Sequence, residues 1–313
     1  MKFFINFLAT CLTFLIFQST SNSQELHRFI SKDPFNEKGE VELMKDISVG
    51  GVLYLPIGNA PHPAVILSNS SAGTEDKIQE RLIFDLQKKG YAVFAIQSFT
   101  ARGIVGGVGT RQSIISFQSA AADTLAASKY LRTQSTIKPD KICAAGHSRG
   151  GSSSFNFAYF TYFIEMVKFE GEPFNCNISI NTAGYYKPII EKTTAKPALI
   201  FVGELDDVWF MDMTVGWYKQ LIKDGNPIQL EIIKDSYHGL TSRRDWCPQV
   251  QTSKGCREFA VYDDKGILVA GKRYDRVKDK YCLARGYYCG YGNLDKYPEM
   301  FLKMTEFLEK YNR

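Results

Sequence analysis

The feature that most constrains this chain is the pentapeptide Gly-His-Ser-Arg-Gly at residues 146–150. It follows an apolar run at 141–145 that predicts a buried strand, and an aromatic-rich stretch that can be helical comes after it. Gly-x-Ser-x-Gly between a strand and a helix is typical of a sharp turn that lifts the serine hydroxyl clear of the backbone. Outside that context it would be an ordinary loop, but with the partners described below it predicts that Ser148 is a nucleophile.

A serine nucleophile needs a base, usually a histidine that a carboxylate holds in one tautomer. The chain has four histidines. His27 precedes the core, His62 lies in a predicted turn, and His147 is expected to point away from its neighbour Ser148. His238 follows the last β-rich run, where a loop at the carboxyl edge of a sheet would present a base. We therefore predict His238 as the base, and a surface-loop histidine is the alternative.

The predicted acid follows another strand. The apolar run 198–202 leads into Gly-Glu-Leu-Asp-Asp at 203–207. Asp206 is the predicted carboxylate partner of the base, with Asp207 as a close rival and Glu204 as a distant one. Carboxylates without that role would be solvated or would cap the next helix.

An oxyanion formed by attack of the serine needs two backbone donors. The Arg149 amide, at the start of the helix after the turn, is the first predicted donor. The second is expected in the loop 68–73, and the prediction is the Ser71 amide. A loop that only connects strand and helix is the alternative.

Strands and helices alternate along the chain from about residue 50. Strand patterns cover 51–55, 64–67, 91–96, 141–145, 177–181, 198–202 and 228–233, and helical patterns cover 78–86, 114–131, 211–223 and a last stretch from Pro298. Apolar strands that alternate with amphipathic helices predict an α/β fold with a mainly parallel sheet, covered by helices on both faces.

Residues 241–295 interrupt this alternation before the last helix and predict an insertion with a β-hairpin at 258–270. The insertion starts directly after the predicted base, so we expect part of it to form a rim or lid of the site. Its four cysteines predict disulfides whose pairing stays open, and they are Cys247, Cys256, Cys282 and Cys289. Cys143 lies in a predicted buried strand and is expected to be an inert thiol, whereas Cys176 is unassigned.

The first 23 residues predict a signal peptide, because a positive start precedes an apolar run and small polar residues. A membrane anchor is the alternative, but the run is shorter than the roughly 20 residues that a span needs. This predicts a secreted or periplasmic protein whose residues 24–313 form a single domain.

Charge and motif content limit the partners. A formal charge of +5 without a concentrated basic run argues against a nucleic-acid partner. No later run is long and apolar enough to span a membrane, and no cluster has metal-ligand spacing. The sequence therefore predicts a small-molecule substrate and implies no metal or other cofactor, while the oligomeric state stays open.

In their order and setting, Ser148, Asp206 and His238 resemble the catalytic residues of the α/β-hydrolase superfamily. The stretches 90–103 and 141–151 resemble its dienelactone hydrolase branch, and the resemblance covers roughly residues 50 to 240 plus the last helix. It implies an α/β-hydrolase fold and hydrolysis of a carboxylic ester or lactone through an acyl-enzyme. A peptidase or acyltransferase with the same residues, and a non-catalytic binding protein on this scaffold, are the alternatives.

The resemblance also implies that Arg102 binds a substrate carboxylate, because a fork of fixed donors suits that group; a surface or structural arginine is the alternative. Three positions depart from the family pattern. The best-known members carry cysteine where this chain has Ser148 and a glutamate where it has Ser70. Their second substrate-binding arginine is not matched in register, although Arg243 and Arg244 are near. The resemblance thus supports hydrolase chemistry more strongly than it supports a dienelactone substrate.

Overall fold

A central sheet organises the protein. The computed structural model describes residues 23–35, 41–73, 76–105, 115–182, 186–244, 247–255, 257–263, 268–270, 284–289 and 293–313. The strands up to residue 233 are β1 (Gln24–Phe35), β2 (Val41–Tyr54), β3 (His62–Ser68), β4 (Ala92–Ile96), β5 (Ile137–His147), β6 (Cys176–Ile180), β7 (Tyr186–Pro188), β8 (Ala198–Gly203) and β9 (Ile228–Ile233). Within the described ranges, all of these except β7 join one eight-stranded sheet in the order β1-β2-β4-β3-β5-β6-β8-β9.

The sheet is antiparallel at one side and parallel elsewhere. β2 pairs antiparallel with β1 and with β4, and the pairings from β4 through β3, β5, β6 and β8 to β9 are parallel. Every residue of β3, β4, β6 and β8 is buried. Continuous apolar runs suit these strands because helices cover both faces of a parallel sheet.

Helices occupy both faces of the sheet. They are α1 (Lys77–Lys88), α2 (Phe117–Leu131), α3 (Arg149–Gly151), α4 (Thr161–Met166), α5 (Met211–Lys223) and α6 (Tyr297–Tyr311), with a π-helical turn at Ser152–Phe157. Leu82 of α1 and Met304 of α6 share one buried cluster, whereas Leu125, Phe155 and Trp217 belong to the cluster on the other face. This three-layer arrangement and its strand order are those of the α/β-hydrolase fold.

The sequence patterns located the parallel part of the sheet. Helix α5 and strand β9 begin and end at the predicted residues, and the predicted last helix is α6. The patterns missed β1 and most of β2. Leu26 and Ile30 of β1 are more than 60% exposed while Ser31 of the same strand is buried, so this edge strand lacks the inward-apolar, outward-polar alternation that sequence patterns detect. The predicted signal peptide lies outside the described residues, except for Ser23.

The insertion contains the predicted hairpin and a second strand pair. Strands β11 (Ala260–Tyr262) and β12 (Leu268–Ala270) pair antiparallel as the predicted hairpin. β11 also pairs in parallel with β7, and β10 (Gln249–Thr252) pairs antiparallel with β13 (Ala284–Tyr287). The insertion is therefore joined to the main domain through strand pairing as well as through its two ends.

Two disulfides are present in the described part of the chain. Cys247 and Cys289 join the two ends of the insertion, which answers part of the open pairing. Cys256 and Cys282 lie outside the described residues. The expectation of an inert thiol at Cys143 was wrong, because Cys143 is bonded to Cys176. The two residues are register partners on neighbouring strands, with Cα atoms 4.6 Å apart, a proximity that burial alone could not indicate.

Across the described ranges, none of the helices combines the length and the apolar character needed to cross a membrane. Nor do these residues include a group of three or more histidine, cysteine, aspartate or glutamate side chains suited to a metal ion.

Candidate active site

Ser148 lies on a strained turn between β5 and α3. Its backbone has φ 53° and ψ −117°, a combination that side-chain-bearing residues adopt rarely and that clusters at functional sites. The turn needs glycine on both sides. A Cβ at Gly146 would lie 2.3 Å from the carbonyl carbon of Gly150, and one at Gly150 would lie 2.1 Å from the Ser68 oxygen. The Ser148 amide donates to the Ile180 carbonyl at 2.8 Å, which ties the turn to β6.

His238 and Asp206 form a buried pair at the carboxyl edge of the sheet. His238 Nδ1 lies 2.8 Å from Asp206 Oδ2, and neither side chain is exposed. The other oxygen of Asp206 accepts from the Val208 amide at 2.9 Å, which fixes the carboxylate plane. An ionised carboxylate only accepts, so Nδ1 carries the hydrogen and Nε2 is left as an acceptor. Within the described ranges, Nε2 is buried and has no hydrogen-bond partner.

The two rival carboxylates have other partners. Asp207 accepts from the Tyr287 amide at 3.0 Å and pairs with Lys254, so it anchors the insertion. Glu204 accepts from the Asp235 amide at 2.9 Å and holds the turn before the histidine loop. Of the three candidates, the structure pairs Asp206 with His238.

His147 links the serine turn to the histidine loop. Its Nε2 lies 3.1 Å from the His238 carbonyl oxygen, and the two ring centroids are 5.1 Å apart. Its Nδ1 lies 2.9 Å from Asp76 Oδ2. A carbonyl oxygen and an ionised carboxylate can only accept, so beside an ionised Asp76 the His147 ring donates from both nitrogens as an imidazolium.

Sequence reasoning missed this pair. His147 was expected to point away from Ser148, and Asp76 was not considered. Asp76 carries one usable signal, because an aspartate directly before an amphipathic helix is a preferred N-cap. It does cap α1, accepting from the Ile78 amide at 2.8 Å and the Gln79 amide at 3.3 Å. Nothing in the sequence indicates that its other oxygen meets a histidine 71 residues later.

Opposite effects act on the two ionisable groups of this pair. Burial favours the neutral carboxyl of Asp76, but the charge and hydrogen bond of His147, with bonds from Ser70 and the Gln79 amide, lower its pKa to about 2. Burial likewise opposes the charged form of His147, but the charge and hydrogen bond of Asp76, the His238 carbonyl and the charge of Asp206 together raise its pKa. Both shifts favour the ionic form of the pair.

Stability should consequently depend on pH through His147. A raised folded-state pKa stabilises the fold below the ordinary histidine value of about 6.5, and this stability is lost as pH rises through the raised value. The lowered pKa of Asp76 stabilises the fold above about 4, and this is lost as pH falls toward about 2. Urea midpoints measured at pH 6 and pH 9 should fall more for the parent than for His147→Gln, which does not titrate. Equal falls would contradict the ion pair.

The two predicted oxyanion donors lie in segments that contact each other. A Cβ at Gly150 would clash with the oxygens of Ser68 and Asn69, so the start of the helix touches the loop 68–73. The Ser71 amide has no acceptor in the described part of the chain. The Arg149 side chain is buried, with its guanidinium 4.5 Å from the Phe117 ring centroid, which fastens the serine turn to α2.

Arg102 is held by the fold. Its Nε donates to Asp33 at 2.9 Å, and its two terminal nitrogens donate to Asp123 at 2.8 and 3.2 Å. With a further bond to the Ser98 carbonyl at 3.0 Å, four of its five N–H donors have protein partners. The side chain is 7% exposed and links β1 to α2. These partners fit the alternative of a structural arginine, and none of them is Ser148 or His238.

A cavity of about 460 Å³ lies where the insertion meets the acid loop. Its walls include Asp206, Trp209, Tyr237, Arg244, Lys254 and Tyr287. The insertion thus contributes to a concave surface next to the His238 partner.

The sequence of this domain matches a family model. The model describes the dienelactone hydrolase family and matches residues 49–261, more than half of the 313-residue chain. The chain belongs to the dienelactone hydrolase family. The match runs from β2 to β11 and includes Ser148, Asp206 and His238, and membership of the dienelactone hydrolase family supports a hydrolase activity.

Several solved hydrolases are similar in structure to this dienelactone hydrolase family member at low sequence identity. A dienelactone hydrolase from Anabaena variabilis is 15% identical with a TM-score of 0.45, covering 68% of this chain and 88% of that one. The α/β-hydrolase MGS-M1 from a deep-sea metagenome is 18% identical with a TM-score of 0.46, covering 68% and 84%. Dipeptidyl peptidase 4 of Porphyromonas gingivalis is 16% identical with a TM-score of 0.49 over 71% of this chain, which spans about a third of that protein. No functionally curated protein matches the sequence.

Proposed function

We propose that this protein is a serine hydrolase that cleaves a carboxylic ester or lactone through an acyl-enzyme. The observation that carries the proposal is the buried Asp206–His238 pair, whose Nε2 has no partner among the described residues. That pair is hydrogen-bonded, through the His238 carbonyl, to the residue directly before Ser148. An imidazole nitrogen available to accept and a serine on a strained turn are the two groups that nucleophilic catalysis needs, and the proposal is that they act on each other.

In the proposed reaction, His238 Nε2 takes the proton of the Ser148 hydroxyl as its oxygen attacks the substrate carbonyl carbon. The amides of Arg149 and Ser71 stabilise the negative oxygen, and Asp206 stabilises the imidazolium that forms. The tetrahedral species collapses, and the leaving alcohol takes the proton from His238. Water then repeats the sequence on the acyl-enzyme, releases the acid and returns Ser148 to its starting state.

The test is turnover of a p-nitrophenyl ester series from acetate to octanoate, beside the matched p-nitroanilides. Ester hydrolysis with little anilide hydrolysis is the expected result. A fluorophosphonate probe should add one adduct mass to the peptide that contains Ser148. Faster anilide hydrolysis would indicate a peptidase instead. Absence of both turnover and labelling would contradict catalysis and favour a binding protein.

We further propose that the end of the insertion forms part of the substrate rim. The Tyr288 ring centroid lies 5.3 Å from that of His238, and the Gly239 amide donates to the Cys289 carbonyl at 2.8 Å. These contacts seat the segment on the loop that carries the proposed base.

Tyr288→Ala should therefore change the preference between acetate and octanoate esters by about 10-fold in kcat/KM, since a large apolar wall is removed. Leu302→Ala is the control, because it removes an apolar side chain that is 60% exposed on α6 and does not line the cavity. Equal preferences in the parent and both variants would count against the rim.

An exported location is also proposed. The apolar leader at residues 1–23 carries this proposal, and two disulfides fit an oxidising compartment. Fractionation of cells that express the full chain, with N-terminal sequencing of the product, tests it.

A further inference from the structure

We propose that Asp76 and His147 form a positioning pair that holds the main chain of His238 in place for catalysis. The inference rests on the proposed function, since it assigns a role relative to the proposed base. His147 touches neither the reacting atoms nor Asp206 by hydrogen bonds, so it is a positioning residue rather than a catalytic one. It would act through the carbonyl oxygen of the residue whose ring moves the proton.

The His238 carbonyl receives two side-chain donors. His147 Nε2 is one at 3.1 Å, and Asn181 Nδ2 is the other at 2.6 Å. Asn181 also accepts from the Gly203 amide at 2.7 Å, at the strand end that leads to the acid. The His238 carbonyl is thus hydrogen-bonded to the turn that carries Ser148 and to the residue that holds the start of the Asp206 loop. A shift of the His238 loop would change the position of His238 relative to both segments.

The loop that carries His238 needs such support. Asp235 and Leu240, on either side of it, have φ values of 53° and 56°, although neither is glycine. Residues other than glycine are strained in this region and persist there only where their surroundings fix them. On its ring side His238 has the bond to Asp206. The bonds to its carbonyl add a main-chain restraint to the one that the Gly239 amide makes with the Cys289 carbonyl.

Asp76 extends the restraint to the oxyanion loop. One carboxylate oxygen caps α1 through the amides of Ile78 and Gln79, the other meets His147, and Ser70 of the loop 68–73 also bonds to the carboxylate. A single side chain therefore connects the oxyanion loop, α1 and the serine turn. The negative charge of Asp76 balances the positive charge of His147, so this pair adds little net charge beside His238 when the base becomes protonated.

The matched test compares His147→Asn with His147→Gln on the ester substrate. The asparagine amide replaces the imidazole near Nδ1 and keeps the contact with Asp76, whereas the longer glutamine amide reaches the position of Nε2 and can donate to the His238 carbonyl. His147→Asn should lower kcat by about 10-fold to 100-fold with KM within about 2-fold, because misplacement of a catalytic group acts on the chemical step. His147→Gln should restore kcat to within about 3-fold of the parent.

Asn312→Ala serves as the stability control. It removes another buried side-chain hydrogen bond to a backbone carbonyl, from Asn312 Nδ2 to the Ala64 oxygen at 2.9 Å, near the amino end of β3. A lower melting temperature with unchanged kcat is expected for it. If neither His147 variant folds, Asp76→Ala should lower kcat, and Asp76→Asn, which keeps the cap and can donate to a neutral His147, should restore it.

Two results would overturn the inference while leaving the proposed function intact. One is a parent-like kcat for His147→Asn in an enzyme whose turnover is abolished by Ser148→Ala. The other is an equal loss in the asparagine and glutamine variants, which would indicate a general packing effect. Turnover that survives Ser148→Ala would instead remove the proposed function itself, so the two failures are distinguishable.

Discussion

Replacing Ser148 with alanine should lower kcat on an active ester by about ten-thousand-fold to a million-fold, the range seen when a triad nucleophile is removed. The alanine has no oxygen to attack the carbonyl, and the remaining donors can only stabilise attack by water. Steady-state turnover of the best p-nitrophenyl ester measures the effect. KM should change little, because substrate contacts with the pocket remain.

Two companions make this result specific. Ser154→Ala removes a nearby buried hydroxyl that donates to the Gly151 carbonyl at 3.2 Å, and it should keep nearly full turnover. The double variant Ser148→Ala with His238→Ala should be no worse than Ser148→Ala alone, because residues that act as one unit are strongly non-additive. Additive losses in the double variant, or a residual rate of a tenth in Ser148→Ala, would contradict the assignment of the nucleophile.

Asp206→Asn should lower kcat by about ten-thousand-fold while the fold is kept. The carboxylate accepts the Nδ1 hydrogen at 2.8 Å. An amide in its place can donate to Nδ1, which stabilises the tautomer with hydrogen on Nε2. That tautomer cannot take the proton of Ser148, and the imidazolium also loses its neighbouring negative charge.

The adjacent residue provides an isosteric control. Asp207→Asn changes the same atoms one position later. It removes the charge that pairs with Lys254 and leaves one oxygen to accept from the Tyr287 amide, so it should alter kcat by less than about 3-fold. A larger loss in Asp207→Asn than in Asp206→Asn would reverse the assignment of the acid.

Much of the fold follows from local patterns in the sequence. Unbroken apolar runs located β3, β4 and β8, because strands buried on both faces favour apolar side chains at every position. Glycines around Ser148 carried an equally local signal, since a Cβ at either flanking position would meet backbone atoms. Ser148, Asp206 and His238 could be assigned because each of them follows the carboxyl end of a predicted strand, namely β5, β8 and β9.

Other features depend on partners distant in sequence and could not be predicted. From the sequence alone, Arg102 could face a substrate or lie between Asp33 and Asp123. Its contact with Asp33 depends on the position of β1, which the sequence patterns did not predict. His147 is similar, because its partner Asp76 lies on another loop. Polar contacts between residues that are far apart in the sequence produce no periodic pattern, so neither a resemblance nor a motif can predict them.

The pairing of β11 with β7 has a consequence for shortened versions of the protein. The hydrogen bonds of Tyr186–Pro188 are completed by Ala260–Tyr262, residues that sequence order assigns to the insertion. Excision of the whole segment between Cys247 and Cys289 would remove β11, the strand paired with β7 in the described part of the chain. The unpaired backbone groups of β7 would then favour pairing with other chains. We therefore expect a truncated variant to stay soluble only if it retains residues 257–270, which include β11, and if the deletion is confined to other parts of the insertion.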